Sequence, residues 1–346
     1  MSVPEKRRAS RRPPTMRDVA RLAEVSVQTV SRVVNGEGGI SSETLQRVQA
    51  AIEALGYQPH GIARSLRTRR TDTVALLVPH VSRPFFAHMT SAVEQEAMER
   101  GYSLVVYSTR DDPTREAKYL ELIVRNWVDG VLYVTTDYFN NLNILAKAGI
   151  PAVAMDRQPI GYEGPAVLFD NYRSGRLAAE YLLGLGHRRI AFIESASPRI
   201  FSRQQLEGMM SVLGEAGVGL IRPELAPSDR GAQRGYRAME VMAESDRLPT
   251  AVITIDDYSA LGILRFALEH GLRVPQDLSI LAINDGEYMP FTKPSITAIV
   301  QPIEEMVQRA FEILQALMNG QDPPEPQVVL APRLICREST GAPERP

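Results

Sequence analysis

From Thr73 onward, short apolar runs alternate with longer stretches whose apolar residues recur three and four apart. The runs Val74–Val78, Leu104–Tyr107, Val131–Val134, Ala152–Met155 and Ala166–Phe169 carry no internal polar alternation, as expected of strands covered on both faces. Between them, Phe85, Met89, Val93 and Ala97, then Ala117, Leu120, Ile123 and Val124, then Leu142, Leu145 and Ala146, keep helical spacing. Strand-helix alternation of this kind builds a parallel α/β layer. A second series starts with a helix over Leu177–Leu185 and strands at Ile190–Ile193, Val252–Ile255 and Ile280–Ile283, so two lobes are implied. The stretch Ile296–Val300, a helix over Met306–Met318 and late strands at Val328–Leu330 and Leu334–Cys336 return to complete them.

Charge separates this body from what precedes it. Residues 1–71 hold 13 Lys/Arg against 6 Asp/Glu, a net of +7, which leaves 26 against 35, a net of −9, for the remainder. A basic head on an acidic body points to a polyanionic partner for the head, although a short basic run can also be a solvated tail. No stretch approaches the roughly 18 apolar residues of a membrane span, and the basic start Lys6–Arg12 runs into Pro13 and Pro14 rather than a signal core. A cytoplasmic location is expected, and the lone Cys336 fits a reducing compartment.

The head contains its own signals. Thr15 caps a predicted helix from Met16 to about Ala23, with Asp18 in the first turn. Ser26 is a second cap and opens Val27–Asn35, in which Val30, Val33 and Val34 share one face and Gln28, Thr29 and Arg32 the other. Two short helices joined by a tight turn, the second with long hydrogen-bonding side chains near its start, can enter a major groove. Arg can then hold a guanine edge and Gln an adenine edge with two hydrogen bonds each; simple solvent exposure is the competing reading. A third helix from Ser41 or Ser42 to Leu55, with a stripe of Leu45, Val48, Ile52 and Leu55, ends at Gly56.

Thr15–Arg70 resembles the DNA-binding head of the lactose-repressor/galactose-repressor family through Asp18-Val19-Ala20, Val25-Ser26, Thr29 to Asn35 and Gly56-Tyr57 followed by Pro59. The likeness continues along the body at Pro84-Phe85-Phe86, Val128-Asp129-Gly130, Asp170-Asn171, Gly186 to Ala191, Leu206-Glu207-Gly208, Ala260-Leu261-Gly262 and Gln301-Pro302. The resemblance implies a small all-α helix-turn-helix head joined by a hinge helix to an α/β, two-lobed, periplasmic-binding-protein-like (type I) sensor with parallel sheets. Its expected divisions are a basic arm over 1–14, the DNA-binding domain over 15–60, the hinge over 61–71, an effector-binding and dimerisation domain over 72–340 and a tail over 341–346. Lobe 1 is expected over about 72–168 plus 300–325, and lobe 2 over about 169–298 plus 326–340. By resemblance Val27, Gln28 and Arg32 face bases, and Ser26, Thr29, Ser31 and Asn35 position the helix on phosphates. The hinge Ile62-Ala63-Arg64-Ser65-Leu66 pairs with its copy in a homodimer and wedges Leu66 into the minor groove of a pseudo-palindromic operator; a linker residue packed on the body is the alternative for Leu66.

Small molecules bind such two-lobed domains outside the carboxyl ends of the strands. Phe85, Phe86, Asp156, Arg157, Gln205, Asp256 and Asn284 are therefore the candidate effector residues. The resemblance leads us to expect Arg at Gln205, Asn at Asp256 and Asp at Asn284 in the family's sugar binders. Exchanging the last two keeps one carboxylate and one amide in the pocket but reverses which ligand hydroxyl each of them holds; loss of the Arg removes a fixed fork of donors, for which Arg83 or Arg157 offers a substitute charge. Structural roles compete at each place: Asp256 as a helix cap, Asn284 in a turn, Phe86 in the core. The expected function is a transcription regulator, commonly a repressor, whose effector is a neutral sugar or polyol; a nucleobase or sugar acid acting as corepressor is the alternative. No cofactor or metal is called for. The chain lacks GxGxxG after a strand, GxxxxGK[ST], GxSxG and HExxH, which argues against an enzyme, and the missing signal core argues against a secreted binding protein. A nucleoid protein, binding all duplexes alike, is the remaining rival. The short polar tail after Cys336 carries no leucine heptads, so a dimer rather than a tetramer is expected.

Overall fold

The computed structural model describes residues 12, 14–34, 38–57, 70–134, 139–159, 161–194, 200–245 and 248–344. Asn35 and the hinge residues Ala63 and Leu66 lie outside these. The chain forms two compact units, residues 1–71 and 72–346.

In the first unit, α1 (Met16–Leu22), α2 (Val27–Val34) and α3 (Ser42–Leu55) surround a core of Val19, Ala20, Ala23, Val30, Val48, Ala51 and Tyr57. The caps form as the sequence requires. The Asp18 carboxylate accepts from both the Thr15 amide (2.9 Å) and hydroxyl (2.6 Å), Ser26 Oγ accepts from the Thr29 amide at 3.0 Å, and Ser41 Oγ from the Thr44 amide at 3.3 Å. Gly56 closes α3 in the left-handed region at φ 60°, a conformation that costs glycine least. Burial of Val19, Val30 and Val48 contributes about 1.5–3 kcal/mol each, a large share for so small a core. The buried stripe of α3 is rotated from the expected one: Leu45 is exposed and Ala51 is buried in its stead. Leu22, on the expected apolar spacing of α1, is also exposed. A core this narrow has room for only one side chain per turn, and small alanines let the three axes approach.

The second unit contains two six-stranded sheets. The first holds β1 (Thr73–Val78), β2 (Ser103–Ser108), β3 (Gly130–Tyr133), β4 (Ala152–Asp156), β5 (Ala166–Phe169) and β11 (Gln327–Leu330), in the order β11-β5-β4-β3-β1-β2 and all parallel. The second holds β6 (Ile190–Ile193), β7 (Leu220–Ile221), β8 (Ala251–Thr254), β9 (Ser279–Ile283), β10 (Thr297–Val300) and β12 (Arg333–Ile335), ordered β12-β10-β9-β8-β6-β7, with only β12 antiparallel. Helices cover both faces: α4 (Pro84–Glu99), α5 (Pro113–Arg125), α6 (Asn143–Ala148) and α11 (Ile303–Met318) pack on the first sheet, and α7 (Asn171–Gly184), α8 (Ile200–Glu215), α9 (Gly231–Glu244) and α10 (Asp257–Glu269) on the second. Strand order reverses beside β1 and beside β6, which opens a crevice at the carboxyl end of each sheet.

One expected assignment is corrected. Gln327–Leu330, placed in lobe 2 on sequence, pairs in parallel with Ala166–Phe169 and so belongs to lobe 1. The chain therefore passes between lobes three times, at Asp170, at Gln301-Pro302 and at Ala331-Pro332. Only two residues separate β11 from β12, yet each extends a different sheet. Among the described residues no helix is long and apolar enough to cross a membrane.

Candidate functional site

Between the lobes, at the carboxyl ends of both sheets, lies a cleft of about 310 Å³. All seven candidate effector residues line it, together with Asn171, Phe201, Arg234, Asp257, Tyr258 and Gln301. Asp156 ends β4 in the left-handed region at φ 68°, which turns its side chain out of the sheet into the crevice. Its carboxylate pairs with Arg157 at 3.0 Å, both side chains being nearly buried. The Arg157 guanidinium lies 4.4 Å from the Phe201 ring centroid and 5.9 Å from that of Phe86, so the cation bridges the lobes through aromatic faces. Phe86 is 5% exposed and belongs to the lobe 1 core, whereas Phe85 is half-buried and meets it edge-on at 5.1 Å.

From lobe 2, Asp256 caps α10, with Oδ1 accepting from the Ser259 amide at 2.7 Å, and lines the cleft as well. Capping occupies one oxygen and leaves the other free of that role. Asp257 beside it is 5% exposed, and burial, reinforced by the Asp256 charge, pushes its carboxyl above the usual range. Asn284 leaves β9 at φ 86° and accepts from Gln301 Nε2 at 3.3 Å. Gln205 is 2% exposed, and its Nε2 donates to Asn171 Oδ1 at 2.9 Å. Arg234 donates to the carbonyls of Glu194 (2.6 Å) and Ala226 (3.3 Å), and burial pulls its pKa down. Asp285, another strand-end carboxylate, is held by Arg337 in a two-pronged bridge of 2.7 and 2.6 Å.

Asn171 and Gln301 sit where the chain crosses between lobes, just after β5 and β10, and the strand-end reading of the sequence did not extend to them. Their signal was the neighbouring Asp170 and Pro302, which mark helix starts, but only the topology shows that those starts open onto the cleft. The side chains of Ser202, Gln205, Asp257, Tyr288 and Gln301 each keep a buried polar atom without a partner among the described residues. Of these, Gln205, Asp257 and Gln301 line the cleft and Tyr288 lines the neighbouring cavity.

In the head, α2 leaves Val27 and Gln28 exposed at its amino end. The hydroxyls of Ser26 and Thr29 lie 2.9 Å apart, and Arg32 Nη2 donates to the Gly38 carbonyl at 2.6 Å. That bond uses one of the five guanidinium donors. Ser31 is half-buried on the same helix.

Comparison with known proteins agrees with this geometry. Residues 15–60 match the profile of the bacterial regulatory proteins of the lacI family, and residues 179–340 that of the periplasmic binding protein-like domain. The chain is 31% identical to the HTH-type transcriptional repressor PurR of Mannheimia succiniciproducens over 94% of its own length and 98% of that protein. The chain belongs to the LacI family. This LacI-family regulator is also 32% identical to the ribose operon repressor of Escherichia coli K12, over 94% of its length and 99% of the relative. Its fold matches the Lac repressor dimer bound to operator and the anti-inducer ONPF with a TM-score of 0.87 at 26% identity, covering 96% of this chain and 100% of that one. It is a DNA-binding transcription regulator with an effector-binding domain.

Proposed function

We propose that this LacI-family regulator acts in the cytoplasm as a homodimeric repressor without enzymatic activity, controlled by a small neutral hydroxylated effector. The observation that carries the effector half is convergence. Residues scattered from 85 to 284 meet at one cleft, where carboxylates, amides and an aromatic edge offer the mixture that a polyhydroxylated ring requires. The deep cations do not call for an anionic ligand, since Arg157 is paired with Asp156 and Arg234 donates to backbone carbonyls. A planar nucleobase is the second reading, supported by Phe85, Phe201 and Tyr258 around the same space.

On this proposal Val27, Gln28 and Arg32 read bases, Ser26, Thr29, Ser31 and Asn35 contact phosphates, and Ala63 and Leu66 belong to the minor-groove hinge. Effector binding closes the lobes and releases the operator. Isothermal titration against sugars, polyols, sugar acids and nucleobases tests the cleft: saturable binding that Asp156→Ala weakens by about tenfold or more supports it. Binding only to a dianionic sugar phosphate contradicts the neutral-ligand reading.

A further inference from the structure

We propose that the Gly38 carbonyl and Gly39 are positioning groups for operator reading: the carbonyl holds the Arg32 guanidinium in place before DNA arrives, and Gly39 keeps clear the space that the guanidinium occupies. This rests on Arg32 being a base-reading residue of α2. Arg32 stands half-buried in the last turn of that helix, and its Nη2 donates to the Gly38 carbonyl, six residues further on, at 2.6 Å. A carbonyl only accepts and a guanidinium only donates, so the polarity of this bond has no alternative. With a charged donor it belongs to the stronger class of hydrogen bonds.

An arginine loose in solvent loses its rotamer freedom when it grips a base. One that is already tethered has lost much of it beforehand, so more of the contact appears as preference for the correct base. The tether does not block reading. Guanine takes two N–H donors, at O6 and N7, and a guanidinium has two edges that supply such a pair, Nε with Nη2 and Nη1 with Nη2. Each edge uses a different hydrogen of Nη2, so a carbonyl on one of them leaves the other edge whole. The chain beyond the bond is fitted to it. Gly39 lies in the left-handed region at φ 84°, and a Cβ there would stand 3.1 Å from Arg32 Nη2, whereas a Cβ at Gly38 would meet nothing within 4 Å. Of the two glycines, only Gly39 is thus required by the guanidinium. Asn tolerates left-handed backbone better than most residues, so at this position it suits the chain and crowds the cation.

The test uses the full-length protein and a duplex enriched from a randomised two-fold pool, titrated by anisotropy. Each guanine is replaced in turn, in both half-sites at once, by 7-deazaguanine, which lacks the N7 acceptor. The expected result is one guanine whose replacement weakens binding about tenfold or more in the wild type and in Gly38→Ala, but less than about threefold in Arg32→Ala and in Gly39→Asn. A larger cost in Gly39→Asn, or a cost lost equally in Gly38→Ala, overturns the inference and leaves Arg32 as a reader of bases. If no guanine has a cost that depends on Arg32, the base-reading assignment fails and the inference with it. A second measurement needs no change in the loop. In the DNA-free wild type, the Nε–Hε resonance that disappears in Arg32→Lys should show an order parameter above about 0.6; a lower value marks a freely moving side chain and overturns the inference.

Discussion

Asp256 caps a helix and lines the cleft with the same side chain. Its Oδ1 serves the cap of α10, so Asp256→Ala removes a cap worth about 1 kcal/mol and, on the proposed function, a ligand contact as well. Asp257 makes a pH prediction. Its folded-state pKa is raised by burial, so the native state holds the proton longer than the unfolded chain, and ionisation destabilises the fold as pH rises above about 4. Asp257→Asn keeps the acceptor for the Tyr258 amide and removes the charge. Its melting temperature should gain on that of the wild type between about pH 4 and pH 7; an equal difference at both pH values contradicts the assignment. In the head, Gln28→Ala should weaken binding to the preferred operator by about 1–3 kcal/mol, five- to 150-fold, with little change for a scrambled duplex. Anisotropy titrations of both duplexes check this. The polar residues were legible because strand ends and helix starts carry recognisable chemistry. Arg157 differed: its cation was visible, but its partnership with Asp156 and two aromatic rings from different lobes was not.

At the scale of elements, periodicity located eleven of the strands because each is an uninterrupted apolar run between polar turns; the two-residue β7 is too short to show a period. Partnership was less legible than existence. Only two residues separate the strand Gln327–Leu330 from the second-lobe strand Arg333–Ile335 in sequence, yet it joins the first sheet, because nothing in a short run states which edge it will extend. The rotated stripe of α3 has a related cause, since Leu45 and Ala51 both fit helical spacing and only the close approach of the three axes selects the smaller one. Helix contacts in lobe 2 follow glycines. Gly175 meets the Gln205 carbonyl and Gly208 the Tyr172 carbonyl, at 1.9 and 2.0 Å from where a Cβ would stand. Gly175→Ala should therefore force α7 and α8 apart at a cost of about 1–3 kcal/mol and lower the melting temperature by about 2–10 °C, weakening effector binding as Gln205 moves. Gly184→Ala on the same helix, with nothing within 4 Å of the added carbon, should leave the melting temperature unchanged or raise it slightly. Equal losses for the two variants would show that the close approach is not what positions Gln205.

For the whole molecule, three crossings join two lobes that share one cleft, and two of those crossings place amides in it. On the proposed function, a ligand touching Asn171 or Gln301 acts on the segments that join the lobes. Coupling between cleft and operator is then a free-energy difference between open and closed lobes, and linkage makes it mutual: whatever factor the effector imposes on operator affinity, the operator imposes on effector affinity. The most direct measurement takes the duplex enriched from a randomised two-fold pool and titrates it by anisotropy with and without saturating effector, then titrates effector with and without duplex. The account predicts a preference of about a thousandfold or more over scrambled DNA. It also predicts at least a fivefold change on adding effector, with the same factor in both directions. Equal affinity for every duplex, or an operator affinity indifferent to a ligand that fills the cleft, would contradict it.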